Sequence, residues 1–394
     1  MKKKFSGAAV ITASVAGFAL AVLCCTFMFV AKYGGLDAFP YTTKFAAVFT
    51  ALNEHYVGEM DMEEASNAAY SAMVAATGDR WSRYLTAEQY DAYRLMQQNS
   101  YKGIGVTIKN DEAFGYPKVV SLVEDSPAQK AGVMIGDHLL AVNGKSVEKM
   151  GTSEISGMIA ELADKEFELS VSSGGEEKTL TIKSDVIFSD PIEYEMLEGG
   201  SIGYVRIKNF EAKSGEGLVS AVDTLIEQGA QSLIFDVRCN PGGLLSELLT
   251  ALDHLLPEGD MFVSADKSGK ETVRSSDAES VSLPMAVLID ANTYSAAEFF
   301  AAALSEYDMA VLVGEQTTGK SHSQINLELS DGSAVHLSTN RYLTPNRVDL
   351  TEAGGLTPDI ELEMDEELLP YFTAGVLEKE RDEQLKAAVE ALVA

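Results

Sequence analysis

Cysteine and positive charge are both scarce in this sequence. Only three cysteines occur in 394 residues, with Cys24 and Cys25 adjacent in an apolar stretch and Cys239 isolated. This spacing provides neither a disulfide framework nor a cysteine metal site. Thirty Lys and Arg residues stand against 60 Asp and Glu residues, which gives a formal net charge of -30. Such a charge argues against nucleic acid as a partner, because a phosphate backbone would be repelled.

Charge is also missing from residues 5–31, which follow the three lysines at positions 2–4. A helix of this length is roughly 40 Å long, enough to cross a hydrocarbon core of about 30 Å. We expect residues 1–32 to form a cytoplasmic tip and a transmembrane signal anchor, since the lysines favour the cytoplasmic side. A cleaved signal peptide is the alternative, but no small-x-small cleavage site follows the run. The predicted localisation is a single-pass cell-membrane protein whose remainder is extracytoplasmic.

The length and the changes of pattern along the chain predict several domains. Residues 33–97 are predicted to form a linker followed by a helical segment. The linker includes a loop at 33–43. The helical segment is rich in alanine over 64–77, and Gly78 is expected to end that helix. Short glycine-punctuated strands predict a β-rich domain at 98–184. Residues 185–370 alternate strands and helices and predict an α/β or α+β core, and residues 371–394 a C-terminal helix.

Four apolar segments of the core are predicted to be buried strands: 202–207, 232–237, 285–290 and 309–313. The second segment ends in Arg238-Cys-Asn-Pro-Gly-Gly243, after which a helix is predicted to begin. A glycine pair at such a turn exposes backbone N–H groups that could hold an oxyanion, and a plain tight turn is the alternative. Gly242 and Gly243 are therefore candidate oxyanion-hole residues.

One hydroxyl, one lysine and one glutamine follow the third strand at suggestive spacing: Ser295, Lys320 and Gln324. A serine becomes a nucleophile when a base takes its proton, and a lysine serves as that base when burial keeps its amine neutral. No histidine lies near the serine, and His322 is the nearest to the lysine. The segment therefore predicts a serine hydrolase with a Ser-Lys pair.

The same lysine also completes a nucleotide-binding P-loop pattern, Gly314-Glu-Gln-Thr-Thr-Gly-Lys-Ser321. A phosphate-binding loop requires a helix directly after its Lys-Ser. Here residues 325–329 and 334–337 alternate in strand period around a predicted Asp331-Gly332 hairpin turn. An NTPase is therefore only a remote alternative.

The β-rich region resembles a PDZ domain in the order of its motifs. Gly103-Ile-Gly-Val106 begins a strand, and Ser126-Pro-Ala-Gln-Lys-Ala-Gly132 and Gly136-Asp-His-Leu-Leu-Ala-Val-Asn-Gly144 follow. The resemblance implies that the backbone of Gly103, Ile104, Gly105 and Val106 binds a peptide's terminal carboxylate. Its partners would then be proteins or peptides with apolar C-termini.

The whole chain after the anchor resembles the carboxyl-terminal processing peptidases, also called tail-specific proteases. Besides the motifs above, the match includes Ser82-Arg-Tyr84, Asp331-Gly-Ser333, Arg341-Tyr-Leu-Thr-Pro345 and Thr357-Pro-Asp359. The resemblance implies that Ser295 is the nucleophile, Lys320 its general base and Gln324 the residue that orients the amine. It further implies an oxyanion hole of backbone N–H groups from Gly242 or Gly243 and from Ala296, with no metal or organic cofactor.

Five positions in three segments depart from the usual pattern of that family. Thr293-Tyr-Ser-Ala-Ala-Glu298 replaces Ser-Ala-Ser-Ala-Ser-Glu, Ser321 replaces a glycine, and Glu306 replaces an aspartate. The nucleophile position is kept. The glycine replacement raises the question whether the backbone still lets Lys320 lie buried and close to Ser295.

The predicted function is a serine endopeptidase that cleaves extracytoplasmic proteins near their C-termini, with the substrate tail captured by the PDZ-like domain. The alternative is a catalytically silent, membrane-anchored PDZ scaffold that only binds C-terminal peptides. The helical segment at 45–98 and the C-terminal helix at 378–393 look like assembly elements of the family, which suggests a homo-oligomer.

Overall fold

The computed structural model describes residues 7–32, 35–162, 165–197 and 199–393. By the density of its internal contacts the chain forms two units, residues 1–73 and 74–394. The predicted cytoplasmic tip with its three lysines lies outside the described residues.

Helices account for the first unit: α1 (Gly7–Lys32), α2 (Gly35–His55) and α3 (Met62–Ala75), the last of which runs into the second unit. Within α1, residues Ser14–Ala31 have a mean hydropathy of 2.3 and no buried side chain. By length and composition this helix could cross a membrane, and a signal sequence meets the same criterion. The loop predicted at 33–43 is wrong for its described part, because α2 already begins at Gly35. Pro40 lies within the first two turns, where its missing N–H costs a single helical hydrogen bond.

The second unit opens with a short strand, a helix and a β-rich region. Its elements are β1 (Arg83–Leu85), α4 (Ala87–Gln97), β2 (Ser100–Gly103), β3 (Val106–Asp111), β4 (Tyr116–Leu122), α5 (Pro127–Ala131), β5 (His138–Val142), β6 (Lys145–Ser146), α6 (Thr152–Glu161), β7 (Glu166–Ser173) and β8 (Glu176–Lys183). Among the described residues, strands β3 to β8 form a sheet in the order β3-β4-β5-β7-β8, with β6 on β5. Ile155 and Ile159 of α6 close an apolar core that includes Leu139 and Leu169. Strand β3 is an edge of this sheet.

An α/β core follows. Its elements are β9 (Asp185–Phe188), β10 (Ile192–Met196), β11 (Ile202–Ile207), α7 (Ser214–Glu227), β12 (Ser232–Asp236), α8 (Leu245–Leu255), β13 (Gly259–Ala265), β14 (Glu271–Ser276), β15 (Met285–Ile289), α9 (Ala296–Glu306), β16 (Ala310–Gly314), β17 (His322–Glu328), β18 (Ala334–Leu343), α10 (Leu350–Ala353), β19 (Ile360–Glu361), α11 (Leu369–Thr373), a 3-10 turn at Lys379–Arg381 and α12 (Glu383–Val393). The four strands predicted from apolar runs are present as β11, β12, β15 and β16.

The main sheet of the core has the order β10-β11-β12-β15-β16-β19, in which all strands but β10 run parallel. Helices α7, α8 and α9 cover one face, where Phe235 and Phe300 meet edge to face at 5.3 Å between ring centroids. Helix α12 covers the other face with Leu385 and Ala388. Both faces are therefore buried, which explains why β15 and the interior of β12 are apolar.

A second, antiparallel sheet joins β1, β18, β13 and β14, with β17 paired to β18. The predicted hairpin around Asp331-Gly332 is confirmed as the β17–β18 connection. Residues that follow the carboxyl ends of β12, β15 and β16 meet at one edge of the main sheet, which is where parallel sheets place their sites.

Candidate active site

Ser295 occupies a sharp turn between strand β15 and helix α9. Its backbone has φ 60° and ψ -128°, a conformation that side-chain-bearing residues rarely adopt, and the residue is 8% exposed. Such strain is typical of a nucleophile on a strand-to-helix elbow, where the hydroxyl is presented at the start of the helix. Thr293 stabilises the turn, because its hydroxyl donates to Val237 O at 2.8 Å and accepts from Asp290 N at 3.0 Å.

The carboxylate of Glu298 links the nucleophile to the lysine. It is fully buried and accepts from Ser295 N at 2.9 Å and from Lys320 N at 2.8 Å. Its other oxygen accepts from Gly319 N at 2.7 Å and from the Thr317 hydroxyl at 2.5 Å. Burial raises the pKa of Glu298, while these donors act in the opposite direction. One carboxylate therefore fixes the backbones of both candidate catalytic residues.

The glycine pair lies directly beside the nucleophile. A side chain at Gly242 would place its Cβ 2.7 Å from Ser295 Cβ and 2.8 Å from Ala296 N. The N–H of Gly242 donates to Asn240 Oδ1 at 2.8 Å, whereas those of Gly243 and Ala296 donate to no group among the described residues. Gly243 and Ala296 are thus the free donors, and Gly242 contributes the close approach.

Buried polar side chains hold this glycine loop. Asn240 is fully buried and donates from Nδ2 to Ile207 O at 2.7 Å, while Tyr294 N donates to its carbonyl at 3.1 Å. Cys239 N donates to Asp290 Oδ1 at 2.9 Å. Burial and the Asp290 carboxylate raise the pKa of the Cys239 thiol to about 12. Cys239 is therefore a structural residue and no competing nucleophile.

The amine of Lys320 lies against aromatic rings. Its Nζ is 4.6 Å from the ring centroid of Trp81 and 5.7 Å from that of Tyr294. No hydrogen bond joins it to Ser295 Oγ among the described residues. Burial, followed by the positive charge of Arg83, lowers the pKa of Lys320 to about 8. A substantial fraction of the amine is therefore neutral near pH 7 to 8, as a general base requires.

Gln324 lies in β17, which begins two residues after Lys320, but no hydrogen bond joins it to the Lys320 amine among the described residues. Its Nε2 donates to His322 O at 2.8 Å and to Ser338 Oγ at 3.0 Å, at a register shift between Ser323 and Gln324. The lysine-orienting role implied by the resemblance stays a prediction.

The departures at Ser321 and Glu306 have local explanations. Ser321 has no positive φ, so its position does not require glycine. Its buried hydroxyl donates to Asp349, and its N–H donates to Thr351 Oγ1 at 3.1 Å, which ties the segment after Lys320 to the start of α10. Glu306 accepts from Asn346 N at 2.7 Å and supports a loop outside the glycine turn. The serine replacement is therefore compatible with the position of Lys320.

Comparison with known proteins agrees with this geometry. A model of peptidase family S41 matches residues 201–362, and a model of the PDZ domain matches residues 118–183. The carboxy-terminal processing protease CtpA of Bacillus subtilis (strain 168) is 31% identical over 345 residues, which cover 86% of this chain and 73% of the relative. The chain belongs to the carboxyl-terminal processing peptidases of family S41. The predicted peptidase and PDZ resemblances are both confirmed.

Two further similarities extend this finding. The chloroplastic carboxyl-terminal-processing peptidase 1 of Arabidopsis thaliana is 35% identical over 299 residues, 73% of this chain and 60% of the relative. The chain thus spans less than two thirds of that relative. A crystal structure of a putative S41 protease from Bacteroides fragilis covers 86% of this chain and 92% of its own, with a TM-score of 0.58 at 18% identity. That similarity shows a shared fold.

The ligand loop predicted for the PDZ domain precedes the edge strand β3. Gly105 has φ 77°, and a Cβ there would lie 2.3 Å from Ser126 Cβ, so only glycine fits. The carbonyls of Ile104 and Gly105 accept from Ala128 N and Val123 N, whereas their own N–H groups donate to no group among the described residues. A free nest of donors beside an open strand edge is the arrangement that binds a peptide's C-terminus.

The sequence alone did not identify three residues that matter to the peptidase site: Trp81, Glu298 and Arg238. The motifs that contain them are visible in the sequence, but their partners lie far away in the chain. Arg238 is fully buried and donates to both Asp236 and Asp382, which attaches the start of α12 to the end of β12. Asp236, at the end of β12, and Asp382, just before α12, are far apart in the sequence. Nothing in the sequence therefore indicates that both bind the same arginine.

The P-loop alternative is wrong, because strand β17 follows Lys320 where a phosphate-binding loop needs a helix.

The charge of Lys320 also acts on His336, and burial together with the positive charge of Arg83 lowers the pKa of His336 to about 4. It is therefore neutral at physiological pH, and its Nδ1–H donates to Asn326 Oδ1 at 2.7 Å.

Proposed function

We propose that this peptidase hydrolyses peptide bonds near the C-termini of proteins, with Ser295 as nucleophile and Lys320 as general base. The observation that carries the proposal is the strained Ser295 turn, whose backbone shares the Glu298 carboxylate with the backbone of Lys320. This buried carboxylate holds the backbones of a serine and of a lysine with a lowered pKa next to each other, which supports their use as nucleophile and base in acyl transfer.

In this mechanism Ser295 Oγ attacks the carbonyl carbon of the scissile bond while its proton passes to the neutral Nζ of Lys320. The oxyanion is held by the N–H groups of Gly243 and Ala296, both free in the structure. The lysine ammonium returns the proton to the leaving amine, and the peptide bond breaks. Water then attacks the ester carbonyl of the acyl-enzyme and gives a proton to Nζ. The lysine passes this proton to Ser295 Oγ as the ester C–O bond breaks, which releases the acid and restores the free enzyme.

Capture of the substrate tail is proposed for the PDZ domain. The N–H groups of Ile104 and Gly105 would hold the terminal carboxylate, and the tail would pair with the edge strand β3. The last side chain would enter the apolar space between β3 and α6. Selectivity for apolar C-termini follows from this arrangement.

Activity is tested with the full chain in detergent and a set of unfolded proteins that differ only at their C-terminal residues. Cleavage by the wild type, its loss in Ser295→Ala and Lys320→Ala, and its retention in the surface control Lys267→Ala support the proposal. Comparable cleavage by Lys320→Ala contradicts the Ser-Lys mechanism. Peptide binding without any cleavage favours the silent PDZ scaffold instead.

Tail capture is tested with two glycine variants that share one backbone conformation. Gly105→Ala places a Cβ against Ser126, whereas Gly115→Ala, with φ 78°, meets nothing within 4 Å. We expect Gly105→Ala to lose binding of C-terminal peptides at least about tenfold more than Gly115→Ala. Equal losses in both variants would show that the loop does not hold the carboxylate.

Membrane anchoring through α1, with the N-terminus in the cytoplasm and the peptidase outside, is proposed from the length and hydropathy of Ser14–Ala31. Protease added to intact cells should then degrade the catalytic part while the membrane fraction retains α1. A catalytic part that is protected in intact cells contradicts this topology. A homo-oligomer stays a prediction that light scattering in detergent tests.

A further inference from the structure

The chain has a single tryptophan, and it lies against the amine of Lys320. The Trp81 and Tyr294 rings stack with centroids 5.6 Å apart, and Nζ lies 4.6 Å from the first centroid and 5.7 Å from the second. Ring faces attract an ammonium group within about 6 Å. The amine is thus held by a pair of rings instead of by Ser295.

Trp81 is fixed in place by a short segment, residues 79–85, which we call the clip. Asp79 accepts from Trp81 N at 3.0 Å and from the Ser82 hydroxyl at 2.5 Å. Ser338 N donates to Ser82 Oγ at 3.0 Å, and β1 within the clip pairs with β18. The clip is therefore part of the same sheet as strand β17, which follows Lys320, and is held there by hydrogen bonds.

Gln324 is held by the same clip contact. Its Nε2 donates to Ser338 Oγ, and the N–H of that Ser338 donates to the clip. Gln324, which is expected to orient the amine, is thus joined through Ser338 and Ser82 to the segment that carries the Trp81 ring. Gln324 and Trp81 make these contacts in a structure in which the Lys320 amine makes no hydrogen bond to Ser295 Oγ among the described residues.

We propose that Trp81 is a positioning residue which, with Tyr294, holds the charged amine of Lys320 at rest and releases it toward Ser295 when the amine becomes neutral. The proposal rests on the proposed function of Ser295 and Lys320. A neutral amine loses its electrostatic attraction to the ring faces and is also the only form that can accept the serine proton. Loss of the proton therefore releases the amine from the rings and, at the same time, allows it to act as a base.

Other charged groups also face this amine, and their effect on its pKa has to be distinguished from the effect of the Trp81 ring. They are Asp79, Arg80 and Arg83 on the clip, Glu298 on α9, Glu211 before α7, His322 on β17 and His336 on β18. Arg80 covers the indole at 4.3 Å from its guanidinium carbon to the centroid. A variant that changes the ring alone leaves all of these charges in place.

The test measures how fast a fluorophosphonate labels Ser295 in the full chain as a function of pH. The reagent forms a phosphorus–oxygen bond with Oγ, fluoride leaves, and the hydroxyl proton goes to Lys320, so its rate reports the base without a peptide substrate. We expect Trp81→Leu to lower the midpoint of the pH profile by about 0.5 to 1 unit from its value near 8, which makes the reaction at pH 7 about 2.5- to 5.5-fold faster. Trp81→Phe, which keeps a weaker ring, should lie between leucine and wild type.

A merely structural role gives a different result, because it slows labelling at every pH and leaves the midpoint unchanged. That outcome in both Trp81 variants overturns the proposal. Should Trp81→Leu fail to fold, the Trp81→Phe midpoint decides by itself, since phenylalanine fits the space of the indole.

Fluorescence of Trp81 provides the second readout, and no other tryptophan contributes to the signal. We expect the wild-type emission to titrate with the same midpoint as labelling, near pH 8, and this transition to be missing in Lys320→Met. An identical transition in Lys320→Met overturns the proposal. Absence of labelling in the wild type at every pH refutes the proposed function, whereas normal labelling with an unshifted midpoint in the Trp81 variants refutes only the role of Trp81.

Discussion

Glu298→Gln is the substitution for which the structure makes the most detailed prediction. The carboxylate accepts four hydrogen bonds, two on each oxygen, from Ser295 N, Lys320 N, Gly319 N and Thr317 Oγ1. A glutamine has one acceptor oxygen, so in either orientation two buried donors face an NH2 group. When the NH2 group faces Ser295 N and Lys320 N, the backbones of both candidate catalytic residues lose the hydrogen bonds that fix them.

The magnitude follows from those bonds. Each hydrogen bond to a buried charge contributes about 1.5 to 3 kcal/mol, and part of that loss is offset because a charge no longer needs to be buried. We therefore expect the free energy of unfolding to fall by about 2 to 4 kcal/mol. For a unit of this size that corresponds to a decrease in Tm of about 3 to 6 °C. Misplacement of reacting groups by about 1 Å costs roughly a hundredfold in rate.

Thermal unfolding and fluorophosphonate labelling of Ser295 measure the two effects. Glu315→Gln is the matched control, since Glu315 accepts from one backbone N–H, that of Met364, at 3.0 Å and lies outside the site. It should change the labelling rate less than about threefold. A Glu298→Gln protein with wild-type Tm and a labelling rate within threefold of wild type refutes the reasoning.

Three further predictions follow from the charged groups. Because the neutral amine of Lys320 is the base, kcat/KM should rise with pH through a midpoint near 8, and a flat profile between about pH 6 and 9 contradicts this. Burial and Glu247 raise the pKa of Glu211 from 4.5 to about 7, so the folded state holds this proton more tightly and stability is lost as pH rises through about 7. Urea unfolding should show Glu211→Gln more stable than wild type by up to about 3 kcal/mol at pH 8 and by less than about 1 kcal/mol at pH 5, and equal gains at both pH values contradict it. Arg238→Met leaves the buried carboxylates of Asp236 and Asp382 uncompensated and should cost about 3 to 5 kcal/mol, measured by thermal unfolding, whereas an unchanged Tm contradicts the pairing.

Local patterns predicted the parts of the fold in which each residue's environment follows from its neighbours in sequence. Strands β11, β12, β15 and β16 are mostly apolar because helices cover both faces of the sheet. The alternation around Asp331-Gly332 predicted the β17–β18 hairpin for a similar reason. Domain boundaries at 97/98, 184/185 and 370/371 stay predictions.

Contacts between distant segments could not be predicted in this way. Trp81 reaches Lys320 only because β1 pairs with β18, and no property of residues 79–85 by themselves indicates that pairing. Glu298 lies three residues from Ser295, yet its bonds to residues 317–320 depend on how β16 ends. The loop predicted at 33–43 is wrong from Gly35 onward, where helix α2 accommodates Pro40.

The most direct test of the account is to locate the fluorophosphonate adduct on the full chain by mass spectrometry. The account predicts one adduct, on Ser295, in the wild type, and no adduct in Lys320→Met at the same pH and exposure. An adduct on another serine, or equal labelling of Ser295 in Lys320→Met, would contradict the assignment of Ser295 and Lys320 as nucleophile and base.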